Sequence, residues 1–363
     1  MESNILFLHK CFVTGGGIER VHQNLGSAFF DKSVKHCFYV LNGFGESHSA
    51  FTELSNDVTA FRAPESGSFL TKLNNLFCLI KQNRVTSIIS ATETANLAAF
   101  FCKIRFPSLR VVYTRHCAFD VSDQKLSPWA IKLLYSAYLL NGNVVAVSKA
   151  LKQQIHASVF WGKSKIHFVP NAVISEKMHA LANCDSSIED KGKYFIAVGR
   201  LVEQKGFDLL LQAYANALNK NKALPKLVIA GAGEDEQKLK TLAKTLGISE
   251  AVNFIGFVSN PYCLIKPASA FILSSRHEGM PTVLVEAMAL ETPVIAFDCP
   301  TGPNELIING QNGSLVPYLS LEHLKNAMLD YKQLPSVNLS KTVEHFTYSE
   351  VANHYLSLSK APG

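Results

Sequence analysis

Phe271-Ile272-Leu273-Ser274-Ser275-Arg276-His277-Glu278-Gly279-Met280-Pro281-Thr282-Val283-Leu284-Val285-Glu286-Ala287-Met288-Ala289 joins two structural characters. Phe271–Ser274 reads as a short buried strand, and Gly279 and Pro281 punctuate a turn. Thr282–Leu290 then reads as a helix, with Thr282 as its N-cap. Glu278 in the turn and Glu286 on the helix's second turn can both face whatever lies beyond the strand's C-terminal end. Open α/β sheets bind ligands at that end, and the N–H groups that open a helix suit an anion. A site gripping both hydroxyls and phosphate is expected there.

The same alternation runs outward along the chain. Strand patterns fall at Asn4–His9, His36–Leu41, Thr86–Ser90, Arg110–Thr114, Asn143–Val147 and Lys165–Val169. Helical patterns lie between them at Glu19–Phe30, Phe69–Gln82, Ala95–Ile104, Trp129–Leu140 and Lys149–Val159. Ser175–Lys193 is polar and reads as an interdomain linker or a loop. The rhythm then restarts with strands at Tyr194–Val198, Lys226–Ala230, Val252–Ile255, Phe271–Ser274 and Pro293–Phe297. Helices are expected at Phe207–Leu218, Glu234–Leu246, Thr282–Leu290 and Leu321–Tyr331, with a helical tail near Ser340–Ser359. Short Val/Ile-rich strands separated by helices imply parallel pairing with right-handed crossovers. The expectation is two doubly wound domains, 1–175 and 190–340, followed by a tail, 341–363, that packs back on the first.

Composition agrees with that size of architecture. At 363 residues the chain is long for one core. Hydrophobic residues at 47% against 18% charged describe a packed protein and exclude pervasive disorder. The eight cysteines have no paired spacing and read as reduced, small apolar residues. The apolar start flows into a glycine loop, so it reads as a first strand, not a signal peptide. No uncharged run approaches the roughly 20 residues needed to span a bilayer. Residues 1–185 hold 19 Lys and Arg against 12 Asp and Glu, while the remainder is nearly balanced. That asymmetry suits an acidic partner or an anionic lipid surface, or scattered solvated lysines. Trp is too rare, and basic–aromatic interleaving too sparse, to favour nucleic acid.

Several loops can carry chemistry. Gly15-Gly16-Gly17 follows the first strand and permits either a phosphate's close approach or a tight turn. Gly199-Arg200-Leu201-Val202-Glu203-Gln204-Lys205-Gly206 follows the second domain's first strand. It sets two cations where a diphosphate could lie, unless they are simply exposed. Gly231-Ala232-Gly233-Glu234 is another strand-to-helix turn, but its acids would repel a phosphate, so a structural role weighs equally. His116 ends a strand at the ligand-binding edge and is either a site contact or a packing residue. No His-x-x-x-His, Cys-x-x-Cys or Asp-x-Asp spacing supports a metal. No P-loop is present, and no Ser-His-Asp arrangement can be singled out.

Together these residues resemble glycosyltransferase family 4, a retaining family with the GT-B fold. The resemblance rests on the Glu-x7-Glu pair, then Val198-Gly199-Arg200-Leu201-Val202-Glu203-Gln204-Lys205-Gly206. Weaker support comes from Thr14-Gly15-Gly16-Gly17-Ile18-Glu19-Arg20-Val21, Val147-Ser148-Lys149-Ala150 and Val169-Pro170-Asn171-Ala172-Val173. It implies two Rossmann-like domains facing a central cleft, with an acceptor-side first domain and a second that binds a nucleotide sugar. Arg200 and Lys205 match the pair on the donor diphosphate. Glu278 matches the glutamate on the donor sugar, and Glu286 the one on the ribose hydroxyls. Gly199 and the segment Gly279, Met280, Pro281 and Thr282 would contact donor. Gly16 and Gly17 match the N-terminal glycine loop, and His116 the histidine that touches the donor sugar. Ala172 stands where the family often has glycine, which bears on hinge flexibility. Cys299–Leu306 is similar to the bacterial surface-polysaccharide branch.

The resemblance implies transfer from a nucleoside diphosphate sugar, with UDP favoured, to a glycan or polyprenyl-linked glycan. No cofactor or metal is expected, because the nucleotide sugar is a substrate. A cytoplasmic protein is expected. Lys72, Lys81 and Arg84 on or beside Phe69–Gln82, with Lys103, Arg105, Arg110 and the stretch Trp129–Leu140, could hold it against an anionic inner membrane face; ordinary buried helices are the alternative. Rival readings are a nucleotide-sugar epimerase, a phosphorylase-like enzyme and a non-catalytic nucleotide-sugar-binding subunit.

Overall fold

A computed structural model of the protein describes residues 4–12, 17–42, 59–64, 66–116, 127–184 and 194–359. The chain forms two compact units, Met1–Val173 with Phe346–Gly363, and Ile174–His345. The boundary falls at 173/174, two residues before the expected end of the first domain, and the return comes at Phe346 rather than 341.

The first unit holds a seven-stranded sheet in the order β3-β2-β1-β4-β5-β6-β7. Its strands are β1 (Asn4–His9), β2 (Lys35–Val40), β3 (Thr59–Arg62), β4 (Ser87–Ala91), β5 (Arg110–Arg115), β6 (Asn143–Ala146) and β7 (Ile166–Phe168). All pair in parallel. Central β4 is buried at every position, as expected of a strand covered on both faces. Edge strand β3, Thr-Ala-Phe-Arg, stays partly exposed. It lacks the Val/Ile run that marks the others and escaped the sequence reading.

The helix Tyr348–Ser359 belongs to this unit and packs on Gly17–Asp31. Val351, Ala352 and Tyr355 enter the core beside Leu25 and Phe29. Tyr348 Oη donates to Asp31 Oδ2 at 2.8 Å. At the other end, the Ser359 carbonyl accepts from Ser87 Oγ at 3.0 Å and from the Arg110 guanidinium at 2.9 Å. A cation there also suits the helix's negative pole. The expected helical tail consists of Leu339–Thr342, a 3₁₀ turn Glu344–Phe346, and Tyr348–Ser359.

The second unit holds a six-stranded parallel sheet in the order β10-β9-β8-β11-β12-β13. Its strands are β8 (Tyr194–Val198), β9 (Lys226–Ala230), β10 (Val252–Gly256), β11 (Ala270–Leu273), β12 (Val294–Phe297) and β13 (Ser314–Val316). Chain order runs outward one way from β8 and the other way from β11, so the order reverses between them. That is where open sheets leave a crevice at the strands' C-terminal ends. Part of the expected linker is instead helical: Ser175 caps Glu176–Leu181 by accepting from the Met178 amide at 3.2 Å.

Tyr355 is 1% exposed, so Tyr355→Ala should cost about 3–4 kcal/mol by cavity formation. Urea unfolding followed by tryptophan fluorescence checks this, because both tryptophans, Trp129 and Trp161, lie in the first unit.

Candidate active site

The second unit's crevice is built from four loops that lock one another. After β8, Glu203–Lys205 forms a 3₁₀ turn closed by Gly206 at φ 63°. A Cβ on Gly206 would lie 2.1 Å from the Ser274 carbonyl oxygen, so only glycine lets this loop meet the end of β11. The Arg276 amide donates to the Gln204 carbonyl at 2.8 Å, and Gln204 Nε2 donates to the His277 carbonyl at 3.0 Å. Arg276 also forks onto both Asp208 oxygens at 2.8 Å. Although burial opposes it, that fork holds the Asp208 carboxyl below its usual range.

This locking sets Lys205 Nζ 2.7 Å from Glu278 Oε1, with the side chains 18% and 7% exposed. Ser275 Oγ donates to the same carboxylate oxygen at 2.6 Å. Thr301 Oγ1 donates to the Glu278 carbonyl, and Gly302, at φ 98°, lies so close that a Cβ would meet Pro281 Cδ at 2.5 Å. The loop after β12 thus fixes the turn from Glu278 to Pro281. Arg200 is exposed on the same β8 loop, and Gly199 lies beside the Lys205 stem.

The helix after the turn spans Thr282–Ala289. Pro281 occupies the cap position with no side-chain cap bond, so Thr282 is the first helical residue and not the N-cap. Proline already fixes φ near its helical value, and the amides opening the helix keep no side-chain cap from Pro281. Gly279 and Thr282 are partly exposed while Met280 and Pro281 are buried. Glu286 is 1% exposed and is the one charged residue of this otherwise apolar helix. A buried carboxylate needs specific partners to offset its desolvation.

The Gly231 turn has a structural explanation. A Cβ on Gly231 would fall 1.8 Å from the Gly199 carbonyl oxygen, and one on Gly233 would fall 2.3 Å from that of Leu201. These glycines let the β9 loop close on the β8 loop. The following helix begins at Glu236, not Glu234.

In the first unit, His116 follows β5 and joins a histidine cluster that sequence reasoning missed. His22 Nδ1 lies 2.9 Å from His9 Nε2, and the His22 and His116 rings are 5.9 Å apart. His9 is the last residue of β1, and neither it nor His22 sits in a recognisable motif. Thr114 Oγ1 donates its only proton to the Ser90 carbonyl at 2.7 Å. It must therefore accept from His116 Nε2, 2.9 Å away, which makes Nδ1 the acceptor. Burial, then the Arg115 guanidinium, push His116 down to about 4 against an opposing bond from Asn171. Burial and His116 push His9 to about 3, and burial with both neighbours holds His22 well below its usual value. His116 is thus a neutral hydrogen-bonding group at neutral pH. Gly17 opens the helix Gly17–Asp31 with open space where a Cβ would stand; Gly16 lies outside the described residues. Among the described residues no group of three or more His, Cys, Asp or Glu could hold a metal ion.

Residues 15–177 match the family model described as Glycosyltransferase Family 4, and residues 184–347 match the one described as Glycosyl transferases group 1. The chain belongs to glycosyltransferase family 4. The amylovoran biosynthesis glycosyltransferase AmsD of Erwinia amylovora is 28% identical over 320 residues, 88% of this chain and 87% of that protein. A Campylobacter jejuni N-acetylgalactosamine-N,N'-diacetylbacillosaminyl-diphospho-undecaprenol 4-alpha-N-acetylgalactosaminyltransferase is 34% identical over 152 residues, 42% of this chain and 40% of that enzyme. The crystal structure of Anabaena HepE in complex with UDP and glucose superposes with a TM-score of 0.77 at 17% identity, covering 98% of each chain. That likeness places the family 4 chain in the GT-B fold class.

Removing the Lys205 ammonium leaves a nearly buried carboxylate. Lys205→Met should destabilise the second unit by about 3–5 kcal/mol, and the double variant Lys205→Met/Glu278→Gln should recover part of the loss; calorimetric unfolding checks both. The histidine cluster sets a pH dependence. Neutral imidazoles favoured by the fold give stability that is full above about pH 6.5 and is lost as pH falls towards the depressed values, at about 1.4 kcal/mol per pH unit for each group. Tryptophan-monitored urea unfolding between pH 7 and pH 4 should show that slope, and His22→Leu should flatten it.

Proposed function

We propose that this glycosyltransferase moves a sugar from a nucleoside diphosphate donor, with UDP favoured, to a hydroxyl of a glycan or lipid-linked glycan, retaining the anomeric configuration. The observation that carries the reading is the Lys205–Glu278 pair, 2.7 Å apart where the second sheet's strand order reverses. A cation held beside a carboxylate can grip diphosphate oxygens and a sugar hydroxyl at neighbouring points. The UDP and glucose bound by HepE and the undecaprenol-linked acceptor in the Campylobacter enzyme's name favour these substrate classes. AmsD's place in amylovoran biosynthesis favours surface-polysaccharide assembly.

Each residue then has a role. Arg200 and Lys205 take the diphosphate, and their effect grows as charge builds on the leaving group. Glu278 accepts from hydroxyls of the donor sugar, and Glu286 from those of the ribose. Gly199 and the backbone from Gly279 to Thr282 approach phosphate or sugar. Neutral His116 makes a hydrogen bond to the sugar. The acceptor attacks on the face from which the diphosphate departs, and the departing phosphate takes its proton. No metal is needed when two side-chain cations carry the leaving group.

Arg200→Ala should lower kcat by about 10²–10³, by analogy with the loss of one oxyanion donor, with its fold intact because the side chain is exposed. EDTA should leave the rate unchanged. Transfer assayed over a panel of nucleotide sugars, with the product anomer read by NMR, checks donor and stereochemistry. An inverted product would remove the retaining mechanism. Donor isomerised without any acceptor would favour an epimerase, and binding without turnover a silent subunit.

A further inference from the structure

In the first unit the helices Phe69–Gln82, Glu93–Arg105 and Pro128–Asn141 pack side by side. The last of them buries Ile131, Tyr135, Tyr138 and Leu139. It turns Trp129, Leu133 and Leu140 to solvent, with 65%, 49% and 65% of each exposed. At 3.6 residues per turn those three side chains fall within about 40° of one another. The chain then brings Phe160 and Trp161 against the same helix. The Phe160 ring lies 6.1 Å from that of Trp129, and Trp161 Nε1 donates to the Ser136 carbonyl at 2.8 Å. Both remain nearly half exposed. On the neighbouring helix Phe101 and Ile104 are exposed as well. Soluble proteins seldom leave so much contiguous apolar surface without a use for it.

The chain segments that build this surface are basic. Residues 124–175 contain six lysines and neither Asp nor Glu. Residues 66–116 contain seven Lys and Arg and one acid, Glu93, which is paired with Arg115 at 2.6 Å. Lys132 Nζ stands 4.3 Å over the Phe160 ring. Burial, then the nearby Arg110 and Lys165, hold the Lys103 ammonium below its ordinary value. A protein partner would need acidic groups around a large apolar contact. A bilayer with anionic headgroups over acyl chains supplies both layers at once, and tryptophan favours that boundary. Among the described residues no helix is long and apolar enough to cross a membrane, so the contact would lie along the surface.

We propose that this face seats the first unit on an anionic lipid bilayer, with Trp129, Leu133, Leu140, Phe160 and Trp161 entering the headgroup–acyl boundary and the surrounding lysines meeting lipid phosphates. The inference does not depend on which sugar is transferred or on the roles assigned to Lys205 and Glu278.

The only two tryptophans of the chain are both in the patch, so their fluorescence reads it directly. The full protein should sediment with phosphatidylglycerol-containing vesicles at low salt and not with pure phosphatidylcholine. Binding should shift the tryptophan emission to the blue and expose it to quenching by brominated acyl chains. Trp129→Ser/Leu133→Ser changes two exposed residues and should keep its circular dichroism. It should bind these vesicles at least about tenfold more weakly, with transfer to a soluble acceptor unchanged. No sedimentation at low salt would overturn the proposal. So would sedimentation without a tryptophan shift, or displacement by a soluble polyanion with the emission unmoved, because those results assign the contact to charge alone. Wild-type vesicle binding by the folded double variant would overturn it as well.

Discussion

The ammonium of Lys205 and the carboxylate of Glu278 meet at 2.7 Å where the second sheet changes direction, and the surrounding loops are shaped by that meeting. Gly206 lets the β8 loop reach the end of β11. Arg276 ties the β11 loop back to the helix that begins at Phe207 by its fork on Asp208. Gly302 and Thr301 hold the turn carrying Glu278 from the side of β12. Nearly buried, the pair adds little net stability compared with an apolar contact, and losing either partner would strand a charge. Such a pair at a ligand-binding edge makes physical sense as a preorganised site, with charge placed before the ligand arrives.

The clustered ionisable side chains of the two units differ in charge. At its crevice the second unit offers cations and carboxylates, which suit a diphosphate and hydroxyls. The first offers three neighbouring imidazoles held neutral by burial, helped by the Arg115 guanidinium at His116 and by the neighbouring imidazoles at His9 and His22. A neutral imidazole can hydrogen-bond a sugar hydroxyl without competing for the phosphate. The hydrogen-bonding chain from Ser90 through Thr114 settles which nitrogen of His116 carries the proton.

Much of the architecture was legible because both sheets are parallel and buried. Strands such as Tyr194–Val198 and Lys226–Ala230 announce themselves as compact apolar runs between amphipathic helices. The edge strand Thr59–Arg62 and the short strand Ser314–Val316 lack such runs, since an edge needs less apolar surface. Ser175 carried a capping signal, yet the helix it opens was hidden inside a polar stretch. Thr282 was misplaced by one position because Pro281 takes over the cap. At the site, Glu278, Glu286 and Lys205 were visible through spacing. Thr301 and the His9–His22 contact were not, because their meaning comes from segments that neighbour in space and not in sequence, and Ser275, three residues before Glu278, sits in no motif that marks it.

Hydrogen exchange with and without UDP tests the placement of the donor site most directly. Amides of 199–206 and 278–286 should gain protection when UDP is added, because the β8 loop and the opening of the Thr282–Ala289 helix would close on the nucleotide. Unchanged exchange in both segments at saturating UDP, with protection appearing elsewhere, would contradict a nucleotide site built on Lys205, Glu278 and Glu286.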